Sequence, residues 1–149
     1  MKKILFVMIC LLGTLSAQAS RDDDRPIRVD QLPKSAQEFI HTHFSGVKIA
    51  IAKMEADFFD KEYGVIFTNG NKVNFLRDGR WKEIECKYSD FPINAIPGPI
   101  RKYIKENCPD TQIWKIERKE RERGYEVNLS NRWELEFDKY GNLTDIDRD

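Results

Sequence analysis

The strongest constraint on the fold is an internal duplication, because the chain carries one pattern of residues twice. When Leu32-Pro33 is set against Ile96-Pro97, an offset of 64 residues, the apolar positions that follow also coincide. In each copy they are spaced i, i+3, i+4, i+8, which is one face of an α-helix. The positions are Ala36, Phe39, Ile40 and Phe44 in the first copy and Ile100, Tyr103, Ile104 and Cys108 in the second. The sequence therefore predicts one amphipathic helix at the start of each copy.

After each predicted helix the pattern changes to alternation, which is typical of strands with one buried and one solvated face. From Tyr63 and Tyr125 onward the copies align at a constant offset of 62 residues. Asn69-Gly70 is a strong signal for a two-residue hairpin turn, and Asn131-Arg132 is its counterpart. The alternation assigns one set of side chains to the core: Tyr63, Val65, Phe67, Val73, Phe75, Tyr125, Val127, Leu129, Trp133, Leu135 and Phe137.

These patterns predict an α+β fold built from two tandem helix-plus-four-strand repeats. The repeats would form one antiparallel sheet of about eight strands, with both helices on one face. We assign residues 31–86 to the first repeat, 87–95 to a linker and 96–149 to the second repeat. The linker is too short to act as a free tether, so one rigid body is expected. Residues 20–30, which include three consecutive aspartates, are predicted to be a disordered lead-in.

The first 19 residues have the pattern of a cleaved signal peptide. Lys2 and Lys3 precede an apolar run from residue 4 to residue 12, and Ala17-Gln-Ala19 supplies a small-x-small cleavage pattern before Ser20. The run is shorter than the ~20 residues that a membrane-spanning helix needs, although a retained anchor is the alternative. We therefore expect a periplasmic or secreted protein with no membrane span after cleavage.

The net charge of the chain excludes one class of partner. Loss of Lys2 and Lys3 would leave two more acidic than basic residues, so no electrostatic attraction to nucleic acid is expected.

Two cysteines, Cys86 and Cys108, would remain after cleavage of the signal peptide. An oxidising compartment would permit a disulfide between them, but Cys108 also fits the apolar face of its predicted helix. The sequence leaves both states open.

Two stretches resemble a known family. The first runs from Gly79 to Cys86 (GRWKEIEC) and is followed by Pro92 and Ile96-Pro97. The second combines the segment GYEVNLS, which starts at Gly124, with LEFD at 135–138. Both are similar to the PepSY-like family of exported bacterial proteins, also called β-lactamase-inhibitor-like. The resemblance implies a fold like that of a β-lactamase inhibitor protein. PepSY-type modules are associated with restraining peptidases, so it also implies inhibitor-like binding.

No arrangement of residues points to catalysis. His41 and His43 are the two histidines, and their spacing of two directs them to different sides of a helix. A zinc pair on a helix requires a spacing of three or four. Nucleophile elbows, phosphate-binding loops and dinucleotide fingerprints are also missing from the sequence. We therefore expect no enzyme activity, no cofactor and no set of metal ligands.

The sheet face turned away from the helices is the predicted binding surface. It would be apolar in the first repeat and acidic in the second, and its candidate residues are Ile66, Asn74, Leu76, Glu126, Asn128, Glu134 and Glu136. The first hypothesis is binding of an unknown protein or peptide of the cell envelope. The alternative is a small-ligand or calcium-binding module that uses the acidic half. Further carboxylates are interpreted as solvated: Asp57, Asp60, Glu62, Asp145, Asp147 and Asp149.

Overall fold

The computed structural model describes residues 24–56 and 59–148 and consists of one antiparallel sheet with two helices. The predicted signal segment, Asp57 and Asp149 lie outside the described residues. Each described strand pairs with its neighbours in sequence. The strands are β1 (Arg25–Pro26), β2 (Ile49–Ala56), β3 (Lys61–Phe67), β4 (Lys72–Phe75), β5 (Trp81–Glu85), β6 (Ile113–Arg118), β7 (Gly124–Leu129), β8 (Trp133–Asp138) and β9 (Leu143–Arg148). The helices are α1 (Lys34–His43) and α2 (Gly98–Asn107).

A single row of buried side chains crosses the sheet from β3 to β8. Residues directly opposite each other in neighbouring strands point to the same face. The register therefore places all of its members on one side, and each is 0% exposed. In order across the sheet they are Val65, Val73, Ile84, Ile116, Val127 and Leu135. Both halves of the chain thus contribute to one continuous core.

Both helices pack on the side of the sheet that carries this row. The ring of Phe39 on α1 meets Phe75 of β4 edge-on, with 5.7 Å between ring centroids and 79° between planes. Tyr103 on α2 meets Phe137 of β8 at 5.6 Å and 78°. Such edge-to-face pairs contribute about 0.5–1.5 kcal/mol beyond the area they bury. The two contacts occupy corresponding positions of the predicted repeats, although the duplication itself stays a prediction.

Two glycine turns fit against the first turns of the helices. Gly79 has a φ of +85° and lies against Pro33 and Ser35, whereas Gly141 has a φ of +84° and lies against Pro99. A Cβ atom at Gly141 would stand 2.7 Å from the Cβ atom of Pro99, and one at Gly79 would overlap the hydroxyl of Ser35. Glycine is therefore needed at both turns for backbone conformation and for space.

The sheet has nine strands in the described residues, where the sequence predicted about eight. The additional strand, β1, comes from the segment expected to be a disordered lead-in. Its two residues pair with Lys53 and Met54 of β2, Ile27 donates its N–H to the carbonyl of Ala52 at 2.9 Å, and Asp24 forms an ion pair with Lys53. Two residues are too short a pattern to predict from sequence, so this edge strand was missed.

The sequence left the pairing of Cys86 and Cys108 open. Cys86 and Cys108 are both free and both buried. Trp81 is in the core, whereas Trp114 is half-buried and has the ammonium of Lys87 4.8 Å from its ring centroid. Among the described residues, no helix is long and apolar enough to cross a membrane.

The glycine turns give a paired test of how the helices are attached. Gly79→Ala and Gly141→Ala should each lower the free energy of unfolding by more than about 1 kcal/mol, because a side chain there is strained and collides with the helix. Gly46→Ala is the control, since a Cβ atom at Gly46 meets no atom within 4 Å. Urea unfolding would measure all three, and equal stabilities would refute the packing argument.

Candidate binding site on the uncovered face of the sheet

The face opposite the helices has polar and charged side chains in its second half. In β7 and β8 they alternate with the core residues, and the register places Glu126 opposite Glu136 and Asn128 opposite Glu134. The sequence predicted these four residues as part of the binding surface, and the structure brings them together in a block two residues wide on adjacent strands. All four are half-buried.

Three of these residues form a carboxylate cluster: Glu126, Glu134 and Glu136. One oxygen from each lies within 4.8 Å of the others. The side-chain amide of Asn128 donates a hydrogen bond to Glu134 Oε2 at 3.1 Å, and Lys119 Nζ forms an ion pair with Glu136 Oε2. The cluster is large enough for a cation that takes oxygen ligands, and these three carboxylates are the residues that could hold one.

The charge balance of the cluster differs from that of a similar pair in the first half of the sheet. Glu55 and Glu62 are also directly opposite each other, on β2 and β3. There each carboxylate has its own lysine, because Lys53 lies 2.5 Å from Glu55 and Lys82 lies 2.7 Å from Glu62. Within the described part of the chain, Glu126 has no lysine or arginine within 4.0 Å.

The environment of Glu126 favours its neutral form. Burial raises the pKa of the Glu126 carboxyl, and the Glu134 carboxylate raises it further. Glu117 acts in the same direction, while Lys115 and Lys119 oppose the shift. A cation bound between the carboxylates would remove this repulsion and reverse the shift.

Residues on β5 and β6 were missed by the sequence prediction although they lie beside the cluster. Lys115 makes ion pairs with Glu83 at 3.3 Å and with Glu117 at 3.2 Å. The register shifts between Ile113 and Lys115, so alternation through Trp114 is interrupted and the face of β6 could not be read from the sequence. Beyond that irregularity the charged residues Lys115 and Glu117 alternate along the strand, and this alternation could have placed them on the uncovered face.

The three remaining predicted residues do not join the cluster. Ile66 on β3 and Asn74 on β4 are half-buried, and β5 and β6 separate them from β7. With strands about 4.8 Å apart, β4 and β7 are roughly 14 Å apart. Leu76 lies in the turn after β4, where its N–H donates to the carbonyl of Arg80. The predicted surface therefore divides into an acidic part and a separate part near β3 and β4.

Two other groups of predicted polar residues lie elsewhere. Asp145 and Asp147 on the edge strand β9 are exposed and opposite Glu136 and Glu134, so they extend the acidic face. His41 and His43 lie at the end of α1. His43 packs on Phe39 with 4.6 Å between ring centroids, and burial lowers its pKa, which favours neutral imidazole.

The fold and this surface define a class of α+β proteins with an open antiparallel sheet, helices on one face and a charged second face. The chain belongs to the family described as "Putative beta-lactamase-inhibitor-like, PepSY-like", whose model matches residues 61–145. This confirms the family resemblance read from the sequence. No significant match was found among curated proteins.

Solved structures of bacterial proteins share the fold. One is described as a putative periplasmic protein of the DUF2874 family from Bacteroides vulgatus. It is 53% identical, with 86% of this chain and 99% of that chain covered and a TM-score of 0.81. A putative calcium-regulated periplasmic protein from Bacteroides thetaiotaomicron is 54% identical, with 85% and 98% covered and a TM-score of 0.81. A putative periplasmic protein of unknown function from Bacteroides vulgatus is 38% identical, with 83% and 98% covered and a TM-score of 0.76.

The raised pKa of Glu126 predicts a pH-dependent effect of Glu126→Gln in metal-free buffer. Because the pKa of Glu126 is raised in the folded protein, its carboxyl stabilises the fold fully at a pH below the ordinary pKa range of glutamate. This stabilisation is lost as the pH rises through the pKa of the folded state. The variant should therefore be more stable than the wild type at about pH 7, and this advantage should shrink toward about pH 4. Thermal unfolding across this range would measure it, with Glu38→Gln on the exposed side of α1 as control. An advantage independent of pH would contradict the assignment.

Proposed function

We propose that the protein is a non-enzymatic binding protein of the bacterial envelope whose uncovered sheet face binds calcium through Glu126, Glu134 and Glu136. The observation that carries the proposal is the approach of three carboxylate oxygens to within 4.8 Å of one another. Calcium takes carboxylate oxygens at about 2.3–2.6 Å in flexible arrangements, so a modest closure of these side chains would suit it.

Two further observations support calcium at this place. The paired acidic residues on β2 and β3 are neutralised by Lys53 and Lys82, whereas the cluster on β7 and β8 has Lys119 as its ion-pair partner in the described residues. One cation against three carboxylates leaves an excess of negative charge that a divalent ion would compensate. In addition, a protein 54% identical to this one is described as a putative calcium-regulated periplasmic protein.

The envelope location is supported by the similar proteins described as periplasmic and by the signal pattern in residues 1–19. Cleavage before Ser20 is part of the proposal. The absence of enzyme activity is supported by the family and by the lack of a catalytic motif in the sequence. On this view the sheet supplies a rigid platform, and binding consists of changes in side chains on its charged face.

Calcium binding gives a direct test by isothermal titration calorimetry. The wild-type protein should bind with a dissociation constant of roughly 0.1–1 mM, as extracellular calcium modules do. Glu134→Gln/Glu136→Gln should abolish the heat because it removes two of the three charged ligands. Lys119→Gln should tighten binding because it removes the ion that competes for Glu136. Glu38→Gln is the matched charge control. Absence of heat at millimolar calcium would refute the site.

A second candidate is recognition of a protein or peptide through the same face. It is supported by the uncovered sheet of the described residues and by the inhibitor-like family description. Carboxylates that bind calcium can also contact basic residues of a partner, so the two candidates need separate measurements.

Capture of partners from envelope extract distinguishes them. A partner bound through the acidic face should be lost from Glu134→Lys/Glu136→Lys and retained by Glu38→Lys, because charge reversal on the binding face creates repulsion. Adding a chelator shows whether capture also requires calcium. Equal capture by the face variant and the control would refute this second candidate.

A further inference from the structure

A second surface is a groove of about 1590 Å³ between α2, the linker and the ends of β6 and β7. None of the three glutamates of the carboxylate cluster lines it, although its lining residue Asn128 donates a hydrogen bond to Glu134. Buried apolar residues such as Ile104 and Ile113 form its base. Aromatic side chains line it as well: Tyr88, Phe91, Trp114 and Trp133. Sites for single small molecules are usually about 300–1,000 Å³, so this groove has room for an extended segment.

The charge of the groove is opposite to that of the uncovered sheet face. Its lining includes four cationic residues and one carboxylate, Asp90. The cationic residues are Lys87, Arg101, Lys105 and Arg132. Lys87 is paired with Glu85 at 3.2 Å, whereas the other three make no ion pair within the described residues. The excess of positive charge would attract acidic groups and repel basic ones.

The linker wall of the groove is fixed by contacts to the folded sheet and to α2. The side-chain amide of Asn71 donates to Ser89 Oγ at 2.7 Å, and Arg101 donates to the Asn94 side chain at 3.1 Å. The ring of Tyr88 lies over the turn at Gly70, 3.1 Å from the position of a Cβ atom there. Because these contacts already order the wall, less conformational entropy is lost when a ligand binds against it.

We propose that this groove binds an acidic peptide segment of a partner protein, with at least one aromatic or large apolar side chain inserted among its aromatic residues. The aromatic lining selects the apolar anchor, and Arg101, Lys105 and Arg132 select the flanking carboxylates. The proposal does not depend on calcium binding at the sheet face. A groove variant and a cluster variant therefore separate the failure of one from the failure of the other.

The test uses a library of short randomised peptides displayed on phage and selected on the purified protein. Selected sequences should combine Asp or Glu with an aromatic residue. Synthetic peptides made from them should bind less tightly as salt is raised, since the attraction is electrostatic. Lys105→Glu/Arg132→Glu and Tyr88→Ser should each weaken binding by about tenfold or more.

Matched controls come from the same helix and from another exposed tyrosine. Lys102→Glu on α2 and Tyr140→Ser lie outside the groove lining and should leave affinity unchanged. The proposal is overturned if selection enriches no acidic aromatic sequences, or if the selected peptides bind the groove variants as tightly as the wild type. It is also overturned if binding is lost only in Glu134→Gln/Glu136→Gln, or if the groove is found to bind dodecanoate or a second copy of this chain instead.

Discussion

The structure depends on the row of fully buried β-branched and leucine side chains that crosses the sheet from Val65 to Leu135. Its central step is the pairing of Ile84 on β5 with Ile116 on β6, the place where the two halves of the chain meet. Burying an aliphatic side chain of this size contributes roughly 1.5–3 kcal/mol. A row shared by both halves joins them into one sheet, so neither half has to cover its own open edge there.

This arrangement assigns different tasks to the two faces of the sheet. Both helices and the whole row lie on one side, and Phe39 and Tyr103 fix the helices by equivalent edge-on contacts. The other face contributes little apolar burial in its second half, so charged residues can stand there without disrupting the core. The groove between α2 and the linker has a mainly basic lining, in contrast to the acidic second half of the uncovered face.

The helices and hairpins could be predicted because their side chains follow a regular period and because glycine marks the turns. The core assigned from alternation is confirmed for most of its members, and Tyr125 and Trp133 are half-buried rather than fully enclosed. β6 was harder, since the register shift at Trp114 interrupts its alternation. β1 could not be predicted, because two residues show no period and their pairing with β2 is a long-range contact.

For the candidate site, alternation in the sequence placed Glu126, Glu134 and Glu136 on one face of the sheet. That they lie close together depends on the register between β7 and β8, which the sequence does not show. That register places Glu126 directly opposite Glu136, and like charges in such a position destabilise an antiparallel pair. The same repulsion on β2 and β3 is relieved by two lysines. On β7 and β8 the paired glutamates have fewer lysine partners, so the sheet is locally less stable there. The requirements of folding alone do not explain this loss of stability. A ligand that supplies positive charge there would relieve the repulsion, and this relief would contribute to binding. For this reason the acidic half of the face is a better candidate site than the part near β3 and β4.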